Sequence, residues 1–344
     1  MTSKLKQKQS MVRGKPQGAL GDATLRTDYR INVNYSKSIL KEPGIHFKKI
    51  RVENTNACKY ACKMCPREKM SRRTGIMPPE DYQLVLDRVK EYVKETHLPQ
   101  PFISDFFLHG YGEPLLDPML ATKSAMVAEQ FPAAFTFIYT TLGVRRPKSY
   151  LKNLLVEGKL KTIAVSHYGF QEHTYNAVQH DGDFHTAQEN LKYLATLNKS
   201  LGSPCAISLQ LLMPDTQDVI NKDSEEKKAF QAFMSFLEPL GVKLHGIKLH
   251  NHGNGRNYFA PDTSVCSVVK GTRQEHFNVS WDLKVLPCCF DYNGDIVYGD
   301  LREQSIFEIY HGEKYQKFIA SHRAGNLDDY PLCKGCNVQR TMSD

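Results

Sequence analysis

The stretch HFKKIRVENTNACKYACKMC, residues 46–65, decides the fold because it joins a strand pattern to a cysteine loop. Its first half alternates polar and apolar residues and is rich in β-forming side chains, which indicates a half-buried strand. Its second half places Cys58, Cys62 and Cys65 four and then three residues apart. The sequence therefore predicts a strand that runs directly into a loop carrying three thiols.

The same strand pattern recurs up to about residue 251, and helical periodicity fills the intervals. Strands that alternate with helices indicate βα units and a parallel sheet, either doubly wound or curved into a partial barrel. In both arrangements the chemistry belongs on loops at the carboxyl ends of the strands, and the cysteine loop lies at such an end. The predicted strands lie within 46–54, 101–110, 134–141, 161–169, 205–213 and 242–251, and the predicted helices within 78–95, 117–131, 146–158, 184–199 and 225–241.

The rhythm changes after residue 252. A polar, glycine-rich joint is followed by two alternating stretches within 276–301, which predict a hairpin around the DYNGD turn at 291–295. An amphipathic helix or helix pair is expected over 305–325, before a terminal Cys-x2-Cys. We therefore expect a basic N-terminal extension at 1–45, a core domain at 46–252 and a small α+β domain at 253–344.

Composition limits the class of protein. Hydrophobic residues make up 41% of the 344 residues, an ordinary value for a globular chain that buries a sizeable core. No apolar run is long enough to cross a membrane, and the N-terminus lacks the apolar core of a signal peptide, so we expect a cytoplasmic protein without a membrane partner. Nine cysteines in such a protein favour metal sites over disulfides.

Three neighbouring thiols leave a metal site incomplete. A structural zinc ion requires four protein ligands, and so does an ordinary four-iron cluster. Three ligands leave one iron open to a small chelating molecule. A zinc site completed by a histidine or by a distant cysteine remains the alternative.

The Cys-x3-Cys-x2-Cys loop after the first strand resembles that of the radical S-adenosylmethionine (SAM) superfamily. In that family the loop holds a [4Fe–4S] cluster whose open iron binds SAM, and the core is a partial (β/α)6 barrel of the TIM type. The resemblance implies that Met64, before the third cysteine, lies near the adenine of SAM.

Three further stretches fit the same resemblance. HGYGEPLLDP is similar to the family's Gly-Gly-Glu-Pro motif, in which strand-edge backbone and the carboxylate take the amino group of SAM, although Tyr111 replaces one glycine. TTLG follows the third strand at the position of the family's Thr-Asn-Gly, with Leu142 where asparagine is common. VSHYG follows the fourth strand, and Ser166 takes the place of the family serine that contacts the SAM carboxylate or ribose. The SAM-binding residues that the resemblance implies are Met64, Gly110, Gly112, Glu113, Pro114, Thr141 and Ser166.

The second cysteine set resembles the SPASM/twitch extension of radical SAM enzymes. The resemblance implies one auxiliary [4Fe–4S] cluster with four cysteine ligands, and structural zinc is the alternative. Adjacent strand residues point to opposite faces, so only one thiol of the Cys288–Cys289 pair can easily be a ligand. We assign Cys288 by spacing, which leaves Cys289 in the hairpin core or facing the active site. The predicted ligands are Cys266, Cys288, Cys333 and Cys336.

The resemblance implies reductive cleavage of SAM to a 5′-deoxyadenosyl radical, which takes a hydrogen atom from the substrate. A flavodoxin or ferredoxin would supply the electron. The substrate radical then either becomes a ketone, with the auxiliary cluster as electron acceptor, or receives a hydrogen from Cys289 and becomes an epimer. The spacing is similar to that of radical SAM dehydrogenases that oxidise an aminocyclitol alcohol.

The substrate class follows from what precedes the first strand. The 45 residues there are too few for the domain of about 80 residues that binds peptides in related enzymes, which favours a small sugar or aminoglycoside. Net charge is +8, and the tail at 1–21 carries five basic residues and no acid, so peptide or RNA modification remains an alternative. A non-catalytic iron–sulfur protein is a further one, but a nucleic-acid partner is not expected.

Overall fold

The computed structural model describes residues 47–96, 102–213, 220–253, 255–256 and 276–336. The predicted N-terminal extension and Cys266 lie outside these residues. No helix in the described part of the chain combines the length and the apolar character needed to cross a lipid bilayer.

The strands form one large sheet and one small ladder. In chain order they are β1 (Lys49–Val52), β2 (Ala61–Cys62), β3 (Asp105–Phe107), β4 (Phe135–Thr140), β5 (Thr162–Ser166), β6 (Gln179–His180), β7 (Ala206–Met213), β8 (Lys243–Lys248), β9 (His276–Val279), β10 (Lys284–Leu286) and β11 (Gly299–Asp300). The large sheet has the order β11-β10-β9-β1-β3-β4-β5-β7-β8, and β2 pairs with β6 alone. The six strands from β1 to β8 in the large sheet are all parallel, which confirms the predicted α/β class.

Helices follow the parallel strands as the periodicity predicted. They are α1 (Pro79–Glu95), α2 (Leu120–Gln130), α3 (Lys148–Val156), α4 (Glu172–Asn176), α5 (Phe184–Ser200), α6 (Ser224–Leu237), α7 (Ile306–His311), α8 (Glu313–Ala324) and α9 (Pro331–Lys334). Within the described ranges β8 is an edge strand of the large sheet, so the parallel strands are not closed into a barrel.

The two faces of the parallel sheet differ in accessibility. Phe106 and Ile138 are fully buried, and the Phe106 ring packs 4.9 Å from Phe131 at the end of α2, so this face lies under the helices. The other face, which carries Arg51, Phe107 and Tyr139 and is called the inner face below, is only partly covered. Tyr139 remains 37% exposed although its strand neighbours are buried. The inner face therefore offers room for a ligand beside the carboxyl ends of β1, β3 and β4.

The C-terminal strands extend the core sheet. β9 pairs in parallel with β1, and β10 and β11 continue antiparallel from it. The predicted antiparallel pair around DYNGD is present, because β10 and β11 pair on either side of it. A further tight turn at 280–283 divides the first predicted stretch into β9 and β10, and there the Leu283 N–H donates to the Ser280 carbonyl. The Ser280 hydroxyl also bonds Asp282, which stabilises this tight turn. The DYNGD segment, 291–295, lies in the connection from β10 to β11. The domain boundary at residue 253 stays a prediction.

Candidate active site

The cysteine loop is fixed by a short antiparallel ladder. Cys62 in β2 pairs with Gln179 in β6. The Lys63 N–H donates to the Val178 carbonyl at 2.9 Å, and the Cys65 N–H donates to the Cys62 carbonyl at 3.0 Å. The segment that follows α4 therefore fixes the cysteine loop by backbone hydrogen bonds. All three thiols lie beyond the carboxyl end of β1.

Aromatic packing supports the same loop. Cys58 and Cys62 contact a buried cluster that contains Tyr60 and Tyr175, whose hydroxyls lie 3.3 Å apart. A Cβ on Gly143, the glycine of TTLG, would lie 1.7 Å from the Tyr60 hydroxyl. Because no side chain fits there, Gly143 lets the loop after β4 close against the cysteine loop.

The three thiols fit an iron–sulfur cluster. Burial raises the pKa of Cys58 to about 11, and burial followed by the charges of Cys65 and Cys58 raises that of Cys62. Thiolates at this place therefore need positive charge nearby, which cluster irons would supply. Among the described residues no three His, Cys, Asp or Glu side chains are grouped so as to hold one metal ion. A cluster binds each thiolate to a different iron, so it suits three thiols that do not converge better than zinc does.

The loop after β3 packs directly on the base of the cysteine loop. A Cβ on Gly112 would lie 2.2 Å from the Thr55 carbonyl oxygen, and one on Gly110 would lie 2.4 Å from Glu53 Cγ. The Glu113 N–H donates to the Ala57 carbonyl at 2.8 Å. Both predicted glycines are thus required for close approach of the two loops.

The Glu113 carboxylate lies inside this contact and is 2% exposed. Its Oε1 accepts from the Thr140 hydroxyl at 2.5 Å and from the Leu115 N–H at 3.2 Å. Its Oε2 accepts from the N–H and the hydroxyl of Thr141 at 2.8 and 2.9 Å. The carboxylate therefore braces the end of β4, and its predicted role toward the SAM amino group stays a prediction.

The remaining predicted SAM residues lie around the same strand ends. Met64 packs with Tyr168 and Leu212, and Ser166 ends β5 close to the Tyr168 hydroxyl. Thr141 is nearly buried beside Glu113, and Pro114 begins a 3-10 turn. The structure thus brings Met64 near Ser166 and places Thr141 beside Glu113, and their roles as SAM ligands stay predictions.

The adjacent cysteines of the C-terminal region lie near different groups. Burial and the tyrosines beside it raise the pKa of Tyr298, and the charges of Cys288 and Cys333 add to the effect. Burial likewise raises the pKa of Tyr139, and Cys289 contributes there. Cys288 and Cys333 therefore lie within electrostatic range of the Tyr298 hydroxyl, and Cys289 lies within that of the Tyr139 hydroxyl.

The terminal Cys-x2-Cys spans the end of α9, with Cys333 inside the helix and Cys336 two residues beyond it. The Cys336 N–H donates to the Cys333 carbonyl at 3.1 Å, and the Asn251 side chain donates to the Gly335 carbonyl at 2.7 Å. Four cysteine thiolates would suit an iron–sulfur cluster in which the protein binds every iron. The ligand set of Cys288, Cys333, Cys336 and Cys266 stays a prediction, since Cys266 lies outside the described residues.

Tyr111 lies between the two cysteine sets. Burial raises the pKa of its hydroxyl, and the charges of Cys289, Cys65 and Cys288 add to this in that order. The hydroxyl is buried and has no hydrogen-bond partner within the described chain. The residue that replaces a family glycine thus fills the space between the cysteine loop and the Cys288–Cys289 segment.

Two arginines tie the C-terminal segment to the cysteine loop, and sequence reasoning did not find these ties. Arg72 holds Glu53 through both guanidinium ends, at 2.5 and 2.6 Å, and donates from Nε to the Tyr292 carbonyl at 2.9 Å. Arg256 donates to the Cys65 carbonyl and to Glu68. Local sequence gives no signal for these pairs because the partners of Arg256 lie about 190 residues away.

Comparison with known proteins identifies the family. Residues 52–216 match the sequence model of the radical SAM superfamily, and residues 266–337 match that of the SPASM iron-sulfur cluster-binding domain. The chain belongs to the radical SAM superfamily. The chain is therefore a radical SAM enzyme, and its family implies a [4Fe–4S] cluster, SAM and auxiliary iron–sulfur binding.

Individual relatives of this radical SAM chain are distant. It is 25% identical over 292 residues to the S-adenosyl-L-methionine-dependent 2-deoxy-scyllo-inosamine dehydrogenase of Niallia circulans, over 85% of this chain and 93% of that protein. The fold is similar to BtrN in complex with AdoMet and 2-DOIA, with a TM-score of 0.53 and 22% identity over 85% of this chain and 93% of that one. It is also similar to Streptococcus suis SuiB bound to precursor peptide SuiA, with a TM-score of 0.58 and 10% identity over 87% of this chain and 74% of that one. Both structural likenesses concern the fold alone.

Proposed function

We propose that this radical SAM enzyme is an oxidoreductase that dehydrogenates an alcohol of a small, sugar-like substrate to a ketone. The observation that carries the proposal is the packing of the Cys288–Cys289 connection against the cysteine loop. The Tyr292 ring in that connection lies 6.0 Å from the ring of Tyr111, and Arg72 donates to the Tyr292 carbonyl. The similarity to a dehydrogenase of an aminocyclitol, over most of both chains, supports it. When bound, the SAM-binding cluster supplies removal of a hydrogen atom from carbon, and the auxiliary cluster supplies an acceptor for the electron left behind.

The chain itself provides position and exclusion of water. The inner face places Tyr139 and Arg51 at the carboxyl ends of β4 and β1, beside the loops that carry the predicted SAM residues. Tyr111 fills the space toward the C-terminal segment and limits the entry of water there. A substrate on the inner face would therefore lie between the cysteine loop and Cys289.

Epimerisation is a second candidate, and the position of Cys289 favours it. Cys289 contributes to the pKa of both Tyr111 and Tyr139, which supports a position of its sulfur within electrostatic range of both hydroxyls. A thiol there could return a hydrogen atom to a substrate radical. Cys205, just before β7, is 3% exposed, and its N–H donates to the Asn198 side chain. Cys205 therefore provides a matched control.

The test uses the full chain with anaerobically reconstituted clusters, SAM, and flavodoxin or ferredoxin as external reductant. 2-Deoxy-scyllo-inosamine and a panel of sugars serve as probes, and products are analysed by mass spectrometry in deuterated water. A product two mass units lighter, formed by wild type, Cys289→Ala and Cys205→Ala alike, supports dehydrogenation. Incorporation of solvent deuterium at carbon by wild type and Cys205→Ala but not by Cys289→Ala would indicate epimerisation in place of dehydrogenation.

The auxiliary site is tested by iron content. The Cys333→Ala/Cys336→Ala variant should fall from about eight irons to about four, keep SAM cleavage and lose ketone formation. Ketone formation at the wild-type rate in this variant would overturn the role proposed for the auxiliary cluster. The cytoplasmic location expected from the sequence stays a prediction.

A further inference from the structure

We infer that the substrate carries an anionic group, a carboxylate or a phosphate monoester, which Arg51 binds on the inner face. The inference rests on the proposed function, because it names the class of sugar-like alcohol that the site accepts. It departs from the aminocyclitol suggested by the dehydrogenase relative.

Arg51 is held in a defined position. It lies in β1, in register with Phe107 of β3 and Asn278 of β9. Its Nη1 donates to His109 Nε2 at 2.7 Å, and its guanidinium lies 4.9 Å from the centre of the Phe107 ring. The His109 contact and the ring together fix the plane of the guanidinium, as a site for a planar or tetrahedral oxyanion requires.

The charge of Arg51 has no acidic partner among the residues that the structure describes. Its one hydrogen bond among the described residues goes to His109, and its Nε is buried without a partner. Burial and the charge of Arg51 both lower the pKa of His109, so this ring stays neutral. A cation that is partly removed from water without a counterion is costly, and a bound anion offsets that cost.

The acids of the inner face are already engaged. Glu53, next but one along β1, is bound at both oxygens by Arg72. Asp105 lies at the amino end of β3 and accepts from the Ser104 hydroxyl at 2.7 Å. Neither carboxylate pairs with Arg51, so an ammonium group placed beside Arg51 would meet an uncompensated positive charge.

Tyr139 adds a hydroxyl to the same place. Its ring packs edge-on against His109 at 5.0 Å, and after burial the charges of Arg51 and Cys289 act on the pKa of its hydroxyl. That hydroxyl makes no hydrogen bond in the described chain, and the residue is 37% exposed. Arg51 and Tyr139 therefore present a cation and a neutral hydroxyl to one ligand, which suits an acid that also carries alcohol groups.

The test compares ligands that share one ring and differ in charge. Binding of glucuronate, glucose 6-phosphate, glucose and glucosamine is measured by anaerobic calorimetry on the full chain, loaded with clusters and SAM. We expect at least one acid to bind at least about tenfold more tightly than glucose, and glucosamine to bind most weakly. Arg51→Gln should remove the preference for the acid, and added salt should weaken acid binding most.

Matched variants protect the test against a folding defect. Arg145→Gln removes an arginine that is 85% exposed in its side chain and pairs with Asp183, and it should leave all affinities unchanged. Arg51→Lys keeps the charge but loses the fork, so it should bind the acid more weakly while keeping the order of preference. If Arg51→Gln does not fold, the order measured on Arg51→Lys and wild type decides. Equal affinity for acid and amine in wild type overturns the inference.

Oxidation, measured separately, distinguishes this inference from the proposed function. An amine that is bound and oxidised equally by wild type and Arg51→Gln leaves the dehydrogenase standing and removes the anion site. Acid binding that depends on Arg51, with solvent deuterium incorporated and no ketone formed, supports the anion site and removes the dehydrogenase.

Discussion

Replacing His167 with phenylalanine should stabilise this protein. The ring is 0% exposed and lies 4.9 to 5.9 Å from the rings of Phe170, Tyr175, Phe184 and Phe233. Both ring nitrogens are buried without a partner. A neutral histidine must carry one N–H, so one donor stays unsatisfied whichever tautomer is present.

The expected gain combines two effects. Removing a buried unsatisfied group is worth about 1–3 kcal/mol, from which the slightly larger phenyl ring subtracts about 1 kcal/mol. Burial also lowers the pKa of His167 to about 3, from an ordinary value of 6.5. Between those two values the unfolded chain binds a proton that the folded protein does not, so wild-type stability falls as pH falls below 6.5. Linkage predicts a loss of about 1.4 kcal/mol between pH 7.5 and pH 5.5, which His167→Phe avoids.

Urea unfolding at the two pH values measures both effects. The single tryptophan, Trp281, is a convenient fluorescence probe at the turn between β9 and β10. We expect His167→Phe to exceed wild type by about 1 kcal/mol at pH 7.5 and by about 2 kcal/mol at pH 5.5. His185→Gln, which changes a side chain that is 72% exposed, should follow wild type at both values. A difference between His167→Phe and wild type that does not depend on pH would show that His167 titrates normally, and would refute its placement in the aromatic core.

Three further outcomes follow from the site. Gly143→Ala should lose about four irons and SAM cleavage, because its Cβ meets the Tyr60 hydroxyl. Adding Tyr60→Phe to the same chain should restore part of both. Iron analysis of Gly143→Ala, Tyr60→Phe and the double variant checks this. Lys123→Met should lower the free energy of unfolding by about 3–5 kcal/mol, because it leaves the buried Asp117 carboxylate without its cation. The carboxylate lies 2.6 Å from Lys123 Nζ, and both side chains are fully buried. A loss under about 1 kcal/mol in urea unfolding would contradict this. Glu113→Gln should lower the free energy of unfolding by about 1–3 kcal/mol in the same assay, because the side-chain NH2 would face N–H or hydroxyl donors such as the Thr141 N–H. Unchanged stability would show that the Glu113 carboxylate does not hold the end of β4.

The sequence was sufficient for the parts of the fold that depend on local pattern. Apolar periodicity located the parallel strands and their helices, and cysteine spacing located the loop beyond β1. The Asn-Gly signal at 293–294 correctly marked the connection between the paired strands β10 and β11, but the tight turn at 280–283 was missed because its sequence carries no such signal. Here Gly294 does adopt a positive φ of 69°, but inside a longer connection that carries the adjacent cysteines.

The site was harder to predict where its residues depend on distant partners. The ties made by Arg72 and Arg256 depend on packing between segments far apart in the chain, and no local rule marks them. The position of Arg51 on the inner face could be read from the alternation of β1. That Arg51 lacks an acidic partner among the described residues could not be read from the sequence, because it depends on the ion pair between Arg72 and Glu53.

The pairing of β9 with β1 has a consequence for how the protein is made. A ribosome releases the strand that leads into the cysteine loop early, but its neighbour on the far side emerges more than 220 residues later. Until then β1 is an exposed edge strand whose main-chain donors and acceptors on that side are unsatisfied, and it can associate with other nascent chains. A fragment cut before β9 should therefore aggregate, and productive maturation of the metal centres depends on synthesis reaching the last quarter of the polypeptide.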